Sequence, residues 1–524
     1  MEYWPEGVPK AFSYPEIPVH GIISGAARGF GQKKAVVHGG RELTYQELDR
    51  ASSQLANVLW EMKPQKGART LIFLPNSMEF IMAYYGVLKA GGIVVAASPM
   101  AKEMELSSLI NTLGIETVVF QDELYQVLSN VMPQANINNL ISVGSTEIPG
   151  ALPFEEILVK RPPTVPDIQI EPKEDVAAIQ CTGGTTGAAK HVMLTHYNLV
   201  SNAIVNALWF KWTEAERVMG LTPFYHTWGP TVCINSVFHV GATVYIMQQF
   251  DAEQCMEMIE RHRLTIFYAV TSLWQMLINH PSFNRYDFSS LRYVKAGGMP
   301  VLTEVQESWE RLTGVPMIPG YGLTEASPEA VTNPPQRVKR DAIGIPIIDT
   351  DARIVDVESG RDQPANREGE LLIKGPQVMK GYWGDPDASS RTLVGGWLHT
   401  GDIMFMDEEG YLHFVERARD MIKYKGHGVF PAELEDILTQ HPAVKECAVV
   451  GRPEPLTGEI PVAFVVTKEG TSVTEDELME FCRERIAPYK RIRDVRFVKE
   501  IPKTPVGKIL KRKLREMLQE NKRT

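Results

Sequence analysis

The most chemically suggestive stretch of this 524-residue chain is Thr182-Gly183-Gly184-Thr185-Thr186-Gly187-Ala188-Ala189-Lys190. Three glycines remove Cβ atoms and let backbone N–H groups approach phosphate oxygens, the threonine hydroxyls add donors, and Lys190 supplies a positive charge. The set suits a triphosphate. It is not a Walker A loop, because the last glycine stands three residues before Lys190 and His191 takes the place of the metal-binding Ser or Thr. Taken by itself the segment also reads as a flexible turn.

Further short motifs follow in order: Pro223-Phe224-Tyr225-His226-Thr227-Trp228-Gly229, Tyr321-Gly322-Leu323-Thr324-Glu325, Gly396-Trp397-Leu398-His399-Thr400-Gly401-Asp402, Arg417-Ala418-Arg419-Asp420 and Pro502-Lys503-Thr504-Pro505-Val506-Gly507-Lys508. With the loop and the Leu194-Thr195-His196 that trails it, the series resembles the signature of the AMP-forming acyl-CoA synthetases. These belong to the adenylate-forming superfamily, with luciferases and peptide-synthetase adenylation domains. The resemblance implies a two-step reaction: a carboxylate attacks the α-phosphorus of ATP and expels pyrophosphate, then the thiol of coenzyme A attacks the acyl-adenylate and expels AMP. Both steps develop negative charge on oxygen, so positioned cations and N–H donors matter more than a covalent nucleophile. No GxSxG, HExxH or Cys-His signature competes with that reading.

The same resemblance distributes roles. Thr182, Gly183, Gly184, Thr185, Thr186, Gly187 and Lys190 hold the phosphates; Tyr321 stacks on adenine, with Gly298 and Gly322 beside the nucleotide; Thr324 contacts the α-phosphate; and Glu325 helps hold Mg2+. A glutamate at a helix start capped by Thr324 is the plainer alternative for Glu325. Asp402 and Arg417 clamp the ribose, a carboxylate being able to accept both hydroxyl protons, though Arg417 also suits a structural ion pair. Lys508 bridges the carboxylate and the α-phosphate. His226 lies near the carboxylate, whereas His196 and His399 read as structural. Arg419 stands where relatives have a polar hinge, so that the C-terminal domain swings between presenting Lys508 and presenting Lys425-Gly426-His427-Gly428 to the pantetheine arm.

Departures from the pattern remove no required group: His191 replaces the usual glycine, Ala188-Ala189 the residue-Pro pair, Gly395 the usual Asp, and Glu416 the Gly or Asp before the ribose arginine. Gly322, with Gly297 and Gly298, is expected to leave room for more than a two-carbon acid. The absence of an acid near His226 disfavours an amino acid, whose buried ammonium would be unpaired. The expected substrate is a medium- or long-chain fatty acid. The Ile422-Lys423-Tyr424-Lys425-Gly426 run also resembles aryl and hydroxycinnamate CoA ligases, which is the alternative substrate class. An acyl-adenylate enzyme with another acceptor, or a non-catalytic binding module, completes the alternatives. Trp209, Phe210, Trp228, Tyr268 and Trp274 suit either a pocket wall or the core.

The elements that must position these residues follow from periodicity. Thr44 stands three residues before Glu47, the capping-box spacing, ahead of a helix with apolar positions at Leu48, Leu55, Val58 and Leu59. Apolar runs at 68–74, 92–97, 116–120 and 242–247 suggest parallel strands covered on both faces. Shorter β segments at 369–375 and 411–415 suggest hairpins, and the chain from 420 onward reads as a compact α+β domain. The expected fold is α/β. Residues 1–418 form a large N-terminal domain of packed α/β subdomains with a β-rich part at about 340–418, and residues 419–524 a small mobile α+β domain.

Composition bounds partners. With 54 basic and 64 acidic residues the net charge is −10, which argues against a nucleic-acid binder. The five scattered cysteines read as free thiols, and no apolar run is long enough to span a bilayer, so a cytoplasmic enzyme is expected. The basic run 509–515 reads as a solvated helix face, with transient contact to coenzyme A phosphates or a membrane surface as the minority reading. Homodimerisation stays open.

Overall fold

The computed structural model describes residues 3–182, 190–298, 301–417, 420–424, 427–429, 431–454, 457–483, 485, 490–503 and 509–520. By packing, the chain divides into two units: Met1–Ala352 with Ile373–Leu398, and Arg353–Leu372 with His399–Thr524. The β-rich segment is thus shared between them.

The first unit is built on two large sheets. Among the described residues, one has eight strands in the order 381–382, 190–195, 176–182, 93–96, 69–73, 117–121, 139–143, 151–153. Its centre is parallel, and Arg69–Phe73, Ile93–Ala96 and Thr117–Gln121 are buried almost throughout, as helices on both faces require. The second has nine strands, ordered 345–346, 329–332, 317–322, 293–296, 266–269, 217–220, 243–246, 34–38, 41–44. The predicted runs become strands to within one or two residues, and Thr44 forms the predicted capping box.

A few elements carry the site. β1 (Val176–Thr182) and β2 (Lys190–Thr195) pair antiparallel around the glycine loop, and α1 (His196–Trp209) follows. β3 (Ile266–Ala269), β4 (Tyr293–Ala296) and β5 (Met317–Gly322) run parallel, and β6 (Glu329–Thr332) turns back antiparallel to β5. The two-residue strand β7 (Gly381–Tyr382) closes the first sheet beside β2.

In the second unit, β8 (Trp397–Met406) pairs antiparallel with β9 (Leu412–Arg417). Farther on, the long hairpin Val444–Glu454 with Gly458–Thr467 forms the centre of an α+β fold, with helices Pro431–Thr439, Glu475–Arg483 and Lys511–Glu520. Alternation along the hairpin separates two cores: Cys447, Val449, Ala463 and Val465 pack with Leu434 and Leu478, whereas Ala448, Val450, Val462 and Phe464 pack with Leu514 and Leu518.

Candidate active site

The glycine loop is framed by strand pairing. Thr182 stands opposite Lys190 in the β1–β2 register, and its hydroxyl reaches the Lys190 carbonyl at 3.4 Å. Gly183, Gly184, Thr185, Thr186 and Gly187 lie outside the described residues. On the far side of β2, β7 places Tyr382 opposite Val192, with Trp383 N–H donating to the His191 carbonyl at 2.8 Å. The structure therefore adds a residue that the sequence reading missed. Lys190 Nζ lies 4.4 Å from the centroid of the Tyr382 ring, and the Tyr382 hydroxyl donates to Glu325 Oε1 at 2.9 Å. The loop lysine and the candidate metal ligand are thus joined through one aromatic side chain. Burial and the Glu325 carboxylate push the Tyr382 phenol well above its ordinary pKa, so it stays a donor.

Helix α1 ties these pieces together. Thr195 caps it in a reciprocal box with Asn198. Asn198, Asn202 and Asn206 recur every fourth residue, so they share one face of the helix, and all three are buried. Asn198 Nδ2 donates to the carbonyls of Pro376 and Val378, just before β7. Asn202 accepts from Glu329 N–H at 3.2 Å and donates to the Glu329 carbonyl at 2.8 Å, and Asn206 accepts from the Tyr268 hydroxyl. A buried amide without partners is costly, and Asn198 and Asn202, paired through both ends of their amides, fix the segments they meet, whereas Asn206 is paired through its oxygen alone. The signal was present in the sequence as a polar stripe at helical spacing on an otherwise apolar helix.

Thr324 and Glu325 open a short 3-10 turn between β5 and β6. Tyr321, Thr324 and Glu325 are half-buried, and Met379 N–H donates to the Glu325 carbonyl at 2.8 Å. At Gly322 the finding differs from the expectation of added pocket space: a Cβ there would collide with the Pro328 carbonyl, so the close approach of β5 and β6 requires glycine. At Gly297 and Gly298 an added Cβ would meet its neighbours only at ordinary van der Waals distances. A Cβ on Gly297 would stand 3.5 Å from the Trp228 ring, and one on Gly298 3.6 Å from Val270. Of the five aromatic candidates, Trp209, Phe210, Tyr268 and Trp274 are core, and Trp228 alone of the five is half-buried.

His226 is half-buried, and its Nδ1 accepts from Trp228 N–H at 3.3 Å. Its motif is anchored from the first sheet: Asn76 donates to the carbonyls of Gly220, Leu221 and Thr222 and accepts from Phe224 N–H at 2.8 Å. His196 is structural, as expected, with Nδ1 accepting from Val19 N–H at 3.0 Å and burial pushing its pKa down to about 3. Burial also lowers the pKa of His191.

In the second unit Asp402 is buried and stands opposite Arg417 in the β8–β9 register. His399 Nδ1 lies 2.9 Å from Glu370 Oε2, a structural contact, while Glu370 Oε1 accepts from Gly401 N–H at 3.0 Å. Arg419, Lys425, Gly426 and Lys508 lie outside the described residues.

A loop lysine and a carboxylate are thus set around one tyrosine, beside the strand pair that flanks the glycine loop. The AMP-binding enzyme family model matches residues 23–383, and the model of that enzyme's C-terminal domain matches residues 433–508. The chain is 34% identical to a long-chain-fatty-acid–CoA ligase of Bacillus subtilis (strain 168), over 99% of this chain and 98% of that one. It is also 34% identical to 4-coumarate–CoA ligase 1 of Solanum tuberosum, over 98% and 96%. Among solved structures, ATP-bound MatB from Rhodopseudomonas palustris superposes with a TM-score of 0.88 at 26% identity, covering 96% of this chain and 99% of that one. The anthranilate CoA ligase AuaEII in complex with anthranoyl-AMP also has a TM-score of 0.88 at 26% identity, covering 97% and 98%. The chain therefore belongs to the AMP-binding enzyme family, within the acyl-CoA ligases of the adenylate-forming superfamily. Among the described residues, no helix is long and apolar enough to cross a membrane.

Proposed function

We propose that this enzyme activates a medium- or long-chain fatty acid in two steps. A carboxylate oxygen attacks the α-phosphorus of ATP and pyrophosphate leaves; the thiol of coenzyme A then attacks the acyl carbonyl, AMP leaves and the thiol proton passes to solvent. The observation that carries the reading is the Lys190–Tyr382–Glu325 arrangement beside the glycine loop. Lys190 offers charge to the phosphates, and Tyr382 orients the Glu325 carboxylate. Glu325 is a hard oxygen donor suited to Mg2+, with the Thr324 hydroxyl beside it for the α-phosphate, and among the described residues no three His, Cys, Asp or Glu side chains converge on one point. Glu325 would hold such a magnesium ion, which would supply neutralisation of charge on the phosphates.

In this reading Tyr321 stacks on adenine, Asp402 and Arg417 hold the ribose, and His226 faces the carboxylate. Lys508 bridges that carboxylate and the α-phosphate, while Lys425 and Gly426 flank the pantetheine arm after rotation about Arg419. The fatty-acid assignment rests on the bacterial relative's substrate. An aryl acid is the second reading, favoured by the plant relative. AMP production measured against straight-chain acids of increasing length and a set of aryl acids decides between them. Turnover rising with chain length supports the first; a flat response with strong aryl turnover overturns it.

A further inference from the structure

A second lysine–glutamate pair lies behind the nucleotide-facing residues. Lys295, on β4, forms an ion pair with Glu329, on β6, and their side chains are 2% and 7% exposed. The pair reaches across β5 at Gly320, where a Cβ would stand 2.8 Å from Lys295 Cε and 3.2 Å from Glu329 Oε1. The absent side chain of Gly320 is what lets the two ends meet over the intervening strand. Lys295 Nζ also sits 4.7 Å from the Phe210 ring centroid and 5.5 Å from that of Tyr268, so aromatic faces enclose the ammonium.

Stability alone does not account for the pair. Taking two ions out of water is expensive, and apolar residues of similar volume are often as stable or more so. What an ion pair adds is a fixed direction between the strands that carry its ends. Lys295 stands two residues before Gly297-Gly298, and Glu329 stands opposite Gly322, on the strand that follows the Thr324–Glu325 turn. Glu329 is held a second time through its backbone, by both ends of the Asn202 amide on α1. The helix that continues from Lys190, the Tyr321–Glu325 segment and the Gly297-Gly298 turn therefore share one buried strap.

We infer that Lys295 and Glu329 are positioning residues for adenylation: their pair sets the spacing between the Gly297-Gly298 turn and the Tyr321–Glu325 segment. The inference rests on the adenylation reading above. A positioning pair acts on the transition state, where a small misplacement of reacting groups is costly.

The test uses the full-length enzyme and compares wild type with Lys295→Met, Glu329→Gln and the double variant Lys295→Met/Glu329→Leu. Thermal unfolding and the kcat and KM of carboxylate-dependent ATP–pyrophosphate exchange are measured for each. Each single variant strands one buried charge and is expected to lower the melting midpoint. The double variant is expected to recover that midpoint yet keep a kcat reduced about tenfold or more. A double variant that recovers both stability and kcat would reduce the pair to core filling and overturn the inference. So would a loss confined to the KM for ATP, or single variants with unchanged exchange. Absence of exchange in the wild-type chain across a broad acid panel would instead overturn the adenylation reading, and the pair's role with it.

Discussion

Two lysine–glutamate arrangements stand within the same unit and are used in opposite ways. Lys190 and Glu325 are half-buried, and both meet Tyr382, which takes the cation on its ring and the carboxylate on its hydroxyl. Lys295 and Glu329 are buried and spend their charges on each other. Identical residue types are thus joined through an aromatic ring in one place and directly in the other, with different access to water.

The sharpest way to break the comparison is to remove a charge from each arrangement. Glu325→Ala is expected to lower carboxylate-dependent ATP–pyrophosphate exchange about a thousandfold, with little change in melting midpoint, since the carboxylate is half-buried and the function proposed above directs it to the nucleotide. Lys508→Ala is expected to cause a loss of similar size, about a thousandfold, in adenylate formation, while largely sparing thioester formation from supplied acyl-adenylate. Equal loss in both half-reactions would remove Lys508 from the assigned role. A large drop in stability for Glu325→Ala would place that residue with the fastening pair instead.

Next in size is a substitution that touches neither charge. Gly320→Ala forces a methyl group against the Lys295–Glu329 pair, and overpacking of a buried contact is expected to destabilise by about 2 kcal/mol. Gly29, exposed in the helix His20–Phe30 and with nothing near its Cβ position, is the control. Gly29→Ala is expected to be neutral or to stabilise by about 0.5–1 kcal/mol. Calorimetric midpoints for both variants check this, and a Gly320→Ala variant as stable as wild type would mean that the strap yields easily.

The two arrangements were not equally legible in the sequence. Glycine-rich loop, Lys190 and Glu325 sit inside contiguous motifs, and the parallel strands of the scaffold show as apolar runs, so the scaffold could be anticipated. Tyr382 could not, because a two-residue strand has no periodicity and its partners come from β2 and the turn after β5. Lys295 and Glu329 each look like an isolated charge in an apolar strand, and only the β4–β5–β6 order and the gap at Gly320 bring them together. Gly322 misleads for the same reason: a missing side chain reads as space, whereas the fold fills that space with the Pro328 carbonyl.

Acid should separate fastening from chemistry. His196 Nδ1 accepts from Val19 N–H, and burial holds its pKa at about 3, while His20, lowered to about 4, adds to the effect. A histidine whose folded pKa is depressed leaves stability intact above its unfolded value near 6.5, and that stability is lost as pH falls through the window toward 3. At pH 5 the unfolded chain binds a proton that folded His196 refuses, which costs about 2 kcal/mol. The melting midpoint of the wild-type enzyme is expected to fall between pH 7 and pH 5, with a shallower slope in His196→Asn. Identical slopes would show that His196 is not the group that titrates.

A conservative change sharpens the comparison most, because it tests the residue that joins one of the two arrangements. Tyr382→Phe keeps the ring under Lys190 and deletes only the hydroxyl donated to Glu325. The carboxylate then keeps its charge but loses its orientation, so exchange is expected to fall about tenfold, with a higher magnesium concentration needed for half-maximal rate. Tyr382→Leu removes the ring as well. Lys190 and Glu325 then have nothing between them, and their direct pairing, the state already reached by Lys295 and Glu329, would withdraw both charges from the phosphates and deepen the loss to about a hundredfold. If leucine and phenylalanine behave alike, the ring does not separate the charges, and the hydroxyl alone accounts for Tyr382.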